Sequence, residues 1–147
     1  MAVKVRKLEA RDEPAWRRLF EAYIAFYQAP VGDEVIALTW QRLHSGAAEF
    51  HIGLVAVDEH DTPVGLAHVL FHRSTWSATG YCYLEDLFVD PAVRGQGIGR
   101  ALIEATYAQA DARACTRTYW TTQESNYRAR TLYDRVATKS PFIRYQR

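Results

Sequence analysis

The chain has 147 residues, 48% of them apolar and 24% charged, with a net charge of +1. That balance fits one globular domain over residues 1–147 and offers no general field for nucleic acid or an acidic membrane surface. The N-terminal MAVKVRKLEARDE lacks the apolar segment of a secretion signal, no apolar run reaches membrane length, and Cys82 and Cys115 alone make no disulfide framework, so a cytoplasmic protein with structural thiols is expected.

Val3 to Leu8 reads as a first strand. Asp12 is placed to cap the helix that follows, with Pro14 tolerated in its first turn. Trp16, Leu19, Phe20, Tyr23, Ile24 and Tyr27 recur at steps of three and four and mark its apolar face. Pro30 and Gly32 end it, and Asp33 to His44 reads as a second helix. Ile52 to Val57, Val64 to Phe71 and Tyr81 to Val89 read as strands, the first two separated by the turn residues Glu59 to Pro63.

Ile98 to Ala112 is a strong helix with Ile98, Ala101, Leu102, Ala105, Ala108 and Ala112 as its expected core face. Thr118 to Thr122 reads as a fifth strand, Ser125 as the cap of a helix from Asn126 to Val136, and Phe142 to Tyr145 as a short last strand. The order βααβββαβαβ implies an α/β fold with a mixed, mostly antiparallel central sheet flanked by helices. His68 and His72 share a face of one strand but stand about 13 Å apart, too far for one metal ion, so no metal is expected. Trp76, Trp40, Tyr23 and Tyr27 suit either the wall of an amine cleft or plain packing.

Between the fourth strand and its helix lies VDPAVRGQGIGRALIE, with Gly95, Gly97 and Gly99 close together. A glycine-rich turn opening a helix presents free backbone N–H groups at the positive end of the helix dipole, where an anion binds. A glycine triplet also suits a tight turn with a closely packed helix. A Walker loop requires Gly-Lys-Ser/Thr, whereas Ile98-Gly99-Arg100 stand after Gly97, and a dinucleotide fingerprint requires glycine where Arg100 stands.

The remaining spelling, R-x-x-G-x-G at Arg94, Gly97 and Gly99, resembles the acetyl-CoA pyrophosphate loop of the GNAT superfamily of N-acetyltransferases. The preceding LEDLFVDP and the later Asn126 and Leu132-Tyr133 fall where that family has its strand and helix. WRRLF from Trp16, YLEDL from Tyr83 and TTQESNYRARTLYDRV from Thr121 are similar to the fungal histone and polyamine acetyltransferase branch. The chain departs from the family at Ala137-Thr138, where glycine and an aromatic residue are usual.

The resemblance implies an acetyl-CoA-dependent enzyme that transfers acetyl directly to a primary amine: a small amine, polyamine, amino acid or protein lysine. Backbone from Arg94, Gly95, Gln96, Gly97, Ile98, Gly99 and Arg100 would cradle the pyrophosphate, and Leu87, Phe88 and Val89 would offer strand backbone to the pantetheine arm. Asn126 would hydrogen-bond that arm, Tyr133 would be the general acid for the departing thiolate, and Glu85 the base or amine-binding carboxylate. Asp86 and Tyr27 join Glu85 as acceptor-binding residues; strand alternation puts Glu85 and Asp86 on opposite faces.

Members of that branch associate through late apolar strands, so Pro141 to Tyr145 implies a homodimer or higher homo-oligomer. The competing expectations are a non-catalytic module that senses acyl-CoA and a purely structural dimer module.

Overall fold

The computed structural model describes residues 3–46 and 48–147. Its elements run β1 (Lys4–Lys7), α1 (Glu13–Phe26), α2 (Asp33–Ser45), β2 (His51–Val57), β3 (Pro63–Ser74), β4 (Ser77–Val89), α3 (Ile98–Ala112), β5 (Arg117–Tyr119) and α4 (Tyr127–Val136), with single 3-10 turns at Ala10–Asp12 and Pro91–Val93. The five strands form one sheet in sequence order. The β1–β2, β2–β3 and β3–β4 pairs are antiparallel, and β5 runs parallel to β4, so the sheet is mixed and mostly antiparallel as expected.

Both faces of the sheet are covered, which is why β2 and β3 read as near-continuous apolar runs. On one face Trp16, Leu19, Phe20 and Ile36 from α1 and α2 pack on Leu66 and Phe88. On the other, Ile98, Leu102, Ile103 and Ala110 of α3 pack on Leu54, Ala67, Val69, Cys82 and Leu84, with Leu132 and Tyr133 of α4 alongside.

Several sequence expectations are corrected here. Phe142 to Tyr145 forms no strand and pairs with none among the described residues: Phe142 is 85% exposed and Tyr145 87%, although Arg144 stands near enough to Tyr83 and Glu85 of β4 for its charge to act on them. The α3 face is rotated. Ile103, Thr106 and Ala110 are buried, while Ala108 and Ala112 face out, because the sheet takes the bulkier of two stripes that share one period. Asp12 holds the N-cap position of α1 as expected, but its side chain makes no cap bond; its carboxylate receives Arg6 (2.7 and 2.9 Å) and the Glu9 amide (2.7 Å) instead, tying β1 to the turn before the helix. β5 is shorter than expected and ends at Tyr119. α4 starts one residue later, with Asn126 and not Ser125 as its cap.

Candidate active site

Two irregularities in β4 create the site. β5 pairs with β4 only through Tyr81, Cys82 and Tyr83, so β4 runs on from Leu84 to Val89 with that edge free of a strand partner. At the same place β3 and β4 slip register: His68 pairs with Asp86 but Val69 with Leu84, leaving Glu85 as an extra, bulged residue. The pleat therefore changes sides. Cys82 and Leu84 point toward α3, whereas Phe88 points toward α1, and Asp86 toward His68 and Trp16. Strict alternation of Glu85 and Asp86 onto opposite faces thus fails, and the bulge brings both carboxylates toward α1.

Partial desolvation, reinforced by the negative charge of Asp86, pushes the Glu85 carboxyl above its ordinary value although the residue stays exposed; the nearby Tyr83 hydroxyl, His68 and Arg144 offset part of that rise. Asp86 receives His68 Nδ1–H at 2.8 Å, and the Tyr23 hydroxyl faces it from α1. Burial and the Asp86 charge both push the Tyr23 phenol upward. Tyr133 comes from α4, where the Tyr107 hydroxyl donates to Val136 O (2.8 Å) and Trp120 meets the Tyr133 ring edge-on at 5.4 Å. Burial, with Tyr27 adding to it, pushes the Tyr133 phenol up to about 12. Tyr27 caps the end of α1 and stacks edge-on with Tyr23 at 5.0 Å.

At the other end of the free edge stands the glycine turn. Gly95 and Gly97 have φ of +83° and +78°, a region that favours glycine, and a Cβ on either would meet nothing within 4 Å. The backbone of this turn is therefore open to a ligand at the N-terminus of α3, whose first carbonyl-to-amide bond is Ala101 N–H to Gly97 O. Gly99 is different: a Cβ there would come within 3.3 Å of Leu132 and 3.9 Å of Val89 side-chain atoms, so it keeps α3 close to α4.

The two arginines are less free than their sequence positions imply. Arg94 Nε donates to Val89 O (3.2 Å) with its guanidinium 5.6 Å from the Phe88 ring centre, and Arg100 Nε pairs with Glu104 (3.0 Å). Gln96 and Ile98 complete the turn, Ile98 with its side chain buried beneath α3. Phe88 likewise has a buried ring, while Leu87 and Val89 pack on the opposite side of the sheet. Asn126 uses its side chain within the fold, accepting from Ala129 N–H and donating to Thr122 (both 3.4 Å).

Trp40 packs against Trp16 at 5.2 Å, and Trp76 is exposed at the β3–β4 hairpin, so Trp40 packs and Trp76 stands apart from the carboxylates. His72 bonds the Tyr119 hydroxyl (2.7 Å) and does not approach His68. Among the described residues no group of three metal-ligating side chains occurs, and no helix is long and apolar enough to cross a membrane. The residues that sequence reasoning missed are His68, Tyr23 as a partner of Asp86, and Tyr83. A histidine inside the apolar run VGLAHVLF was the one available signal.

A profile of the acetyltransferase (GNAT) family matches residues 16–137. The D-amino-acid N-acetyltransferase HPA3 of Saccharomyces cerevisiae is 33% identical over 145 residues, covering 99% of this chain and 90% of the relative. A thialysine N-epsilon-acetyltransferase of Bos taurus is 37% identical over 70 residues, 48% of this chain and 41% of that one. Among solved structures, AAC(6')-Iy in complex with the bisubstrate analogue CoA-S-monomethyl-acetylneamine superposes with a TM-score of 0.84 at 15% identity, covering 100% of this chain and 98% of that one. The glycine turn, the free β4 edge and the family match agree: the chain belongs to the GNAT family of acetyltransferases and is an enzyme that uses acetyl-CoA to acetylate an amine.

Proposed function

We propose that this enzyme acetylates a small cationic primary amine, with Glu85, Asp86, Tyr27 and Tyr133 as its acceptor and transfer site. The observation that carries the reading is the unpaired β4 edge, which runs from the glycine turn to the two carboxylates. When bound, acetyl-CoA supplies a thioester carbon open to an amine and a sulfur that departs as thiolate.

The backbone of Arg94 to Arg100 holds the pyrophosphate through N–H groups at the α3 N-terminus; each arginine is bonded in the fold through Nε, so its remaining guanidinium N–H groups add charge to these amides. Leu87, Phe88 and Val89 offer backbone to the pantetheine arm as an added strand would. Asn126 closes that arm from the start of α4.

An amine of pKa near 10.4 must lose a proton before it attacks, and an ordinary carboxylate lies about six units below it, a gap of roughly 8 kcal/mol. The raised Glu85 carboxyl narrows that gap, and it accepts the proton through an ordered water. Tyr133 stays protonated throughout the working range. A phenol at about 12 stands roughly 3.5 units above a thiol near 8.5, so complete transfer costs about 5 kcal/mol. Tyr133 therefore acts by donating a hydrogen bond to the sulfur as its charge develops.

The acceptor panel takes D-amino acids from the fungal relative and thialysine from the bovine one, and adds polyamines and lysine peptides as further cationic amines, each followed by release of free thiol. A cationic amine giving saturable turnover supports the proposal; acetyl-CoA binding by calorimetry without turnover on any amine overturns it. We also propose a homodimer joined through residues 141–145, whose Phe142, Ile143 and Tyr145 are exposed in a chain with β5 at an open sheet edge. Removing residues 141–147 is expected to abolish self-association in sedimentation velocity.

A further inference from the structure

Behind Asp86 lies a buried chain of hydrogen bonds that the transfer reaction does not itself require. Trp16 Nε1 approaches His68 Nε2 at 2.9 Å, and His68 Nδ1 approaches Asp86 Oδ2 at 2.8 Å. An indole nitrogen only donates, so His68 Nε2 must accept. The ring proton is then on Nδ1, where it is donated to Asp86. In that tautomer both ring nitrogens are occupied, Nε2 accepting and Nδ1 donating, in a site only 3% exposed.

The Phe20 ring meets His68 edge-on at 4.8 Å and holds its plane. Asp86, 18% exposed, thus has one oxygen fixed from below, with the Tyr23 hydroxyl facing the same carboxylate from the side. A carboxylate offers about four acceptor positions, so the oxygen that His68 does not hold is left for N–H donors arriving from the cleft.

We infer that Trp16 and His68 are positioning residues that fix Asp86 as the anchor for the acceptor's ammonium group. The inference rests on the placement of Asp86 in the acceptor site. It divides labour between neighbours: Asp86 is held still to bind, and Glu85, bulged and more exposed, handles the proton.

The test uses steady-state kinetics in both substrates on His68→Gln, His68→Asn and Asp86→Asn, with histidine-selective 15N NMR of the wild-type enzyme. Glutamine keeps an acceptor near Nε2 but withdraws the donor from Asp86, so His68→Gln is expected to raise the amine KM about tenfold with the acetyl-CoA KM unchanged. Asparagine returns a donor at the Nδ1 position, and His68→Asn is expected to restore the amine KM to within about threefold of wild type. The NMR spectrum is expected to show the neutral His68 ring as the Nδ1–H tautomer.

Equal amine KM values for the two His68 variants, or a neutral His68 ring protonated at Nε2, overturn the inference. If Asp86→Asn raises the amine KM while His68→Gln does not, the relay fails and the acceptor site stands. If Asp86→Asn leaves the amine KM unchanged, the proposed acceptor site fails first.

Discussion

At Glu85, partial desolvation and the charge of Asp86 act in the same direction, and both favour the protonated carboxyl. A base must be deprotonated to work, so activity is lost as pH falls through this raised value. The acid limb of kcat/KM is therefore expected above the ordinary glutamate range, and Glu85→Gln is expected to flatten it while lowering kcat about 10²-fold. Initial rates across pH check this, and a limb that persists in the variant assigns it to another group. Tyr133 is expected to behave differently. Tyr133→Phe removes a hydrogen bond made mainly in the transition state, so kcat falls about 10- to 100-fold with acetyl-CoA affinity unchanged by calorimetry.

Among the elements, the turn into α3 separates two kinds of glycine. Gly97→Ala forces an alanine to φ of +78° in open space, costing about 1–2 kcal/mol of backbone strain without a clash. Gly99→Ala instead sits at ordinary helical angles, gains about 1 kcal/mol of helix propensity and asks only the flexible Leu132 side chain to give way. Urea unfolding is expected to show Gly97→Ala destabilised and Gly99→Ala near neutral. A second element-level device is the Arg6–Asp12 pair. Burial pushes the Asp12 carboxyl up, but Arg6 and the Glu9 amide outweigh it, and the net value lies below the usual carboxylate range. Its stabilisation is present above the unfolded value of about 3.9 and is lost as pH falls through the lower folded one. Asp12→Asn is expected to cost about 3 kcal/mol at neutral pH, at the low end for a broken buried pair because Asp61 still holds Arg6.

Across the whole molecule, what the sequence revealed tracks how local each signal is. Helical period, turn residues and the R-x-x-G-x-G spelling are written within short windows, and α1, α2, α3 and the glycine turn follow from them. The face of α3 does not, because apolar residues surround much of the helix and only the sheet beneath it selects the Ile103 stripe. The expected strand at Phe142 to Tyr145 has strand-like residues, but strand propensity does not supply a hydrogen-bonded partner, and the segment passes near β4 without joining its ladder. The site was half legible. Glu85, Asp86 and Tyr133 were found by motif, whereas His68 and Tyr23 meet Asp86 only through the pairing of β3 with β4 and the packing of α1.

That slip makes β4 a strand of two phases. Before Glu85 the even-numbered positions, Cys82 and Leu84, are oily and belong to the α3 side; after it the even-numbered positions, Asp86 and Phe88, belong to the α1 side. Deleting Glu85 would leave Leu84 and Asp86 as neighbours opposite Val69 and His68, a regular pleat in which Asp86 and Phe88 keep the α1 side and Leu87 the α3 side. The anchor would stay in place and only its companion carboxylate would go. One inserted residue, here, is what lets two consecutive carboxylates share a face.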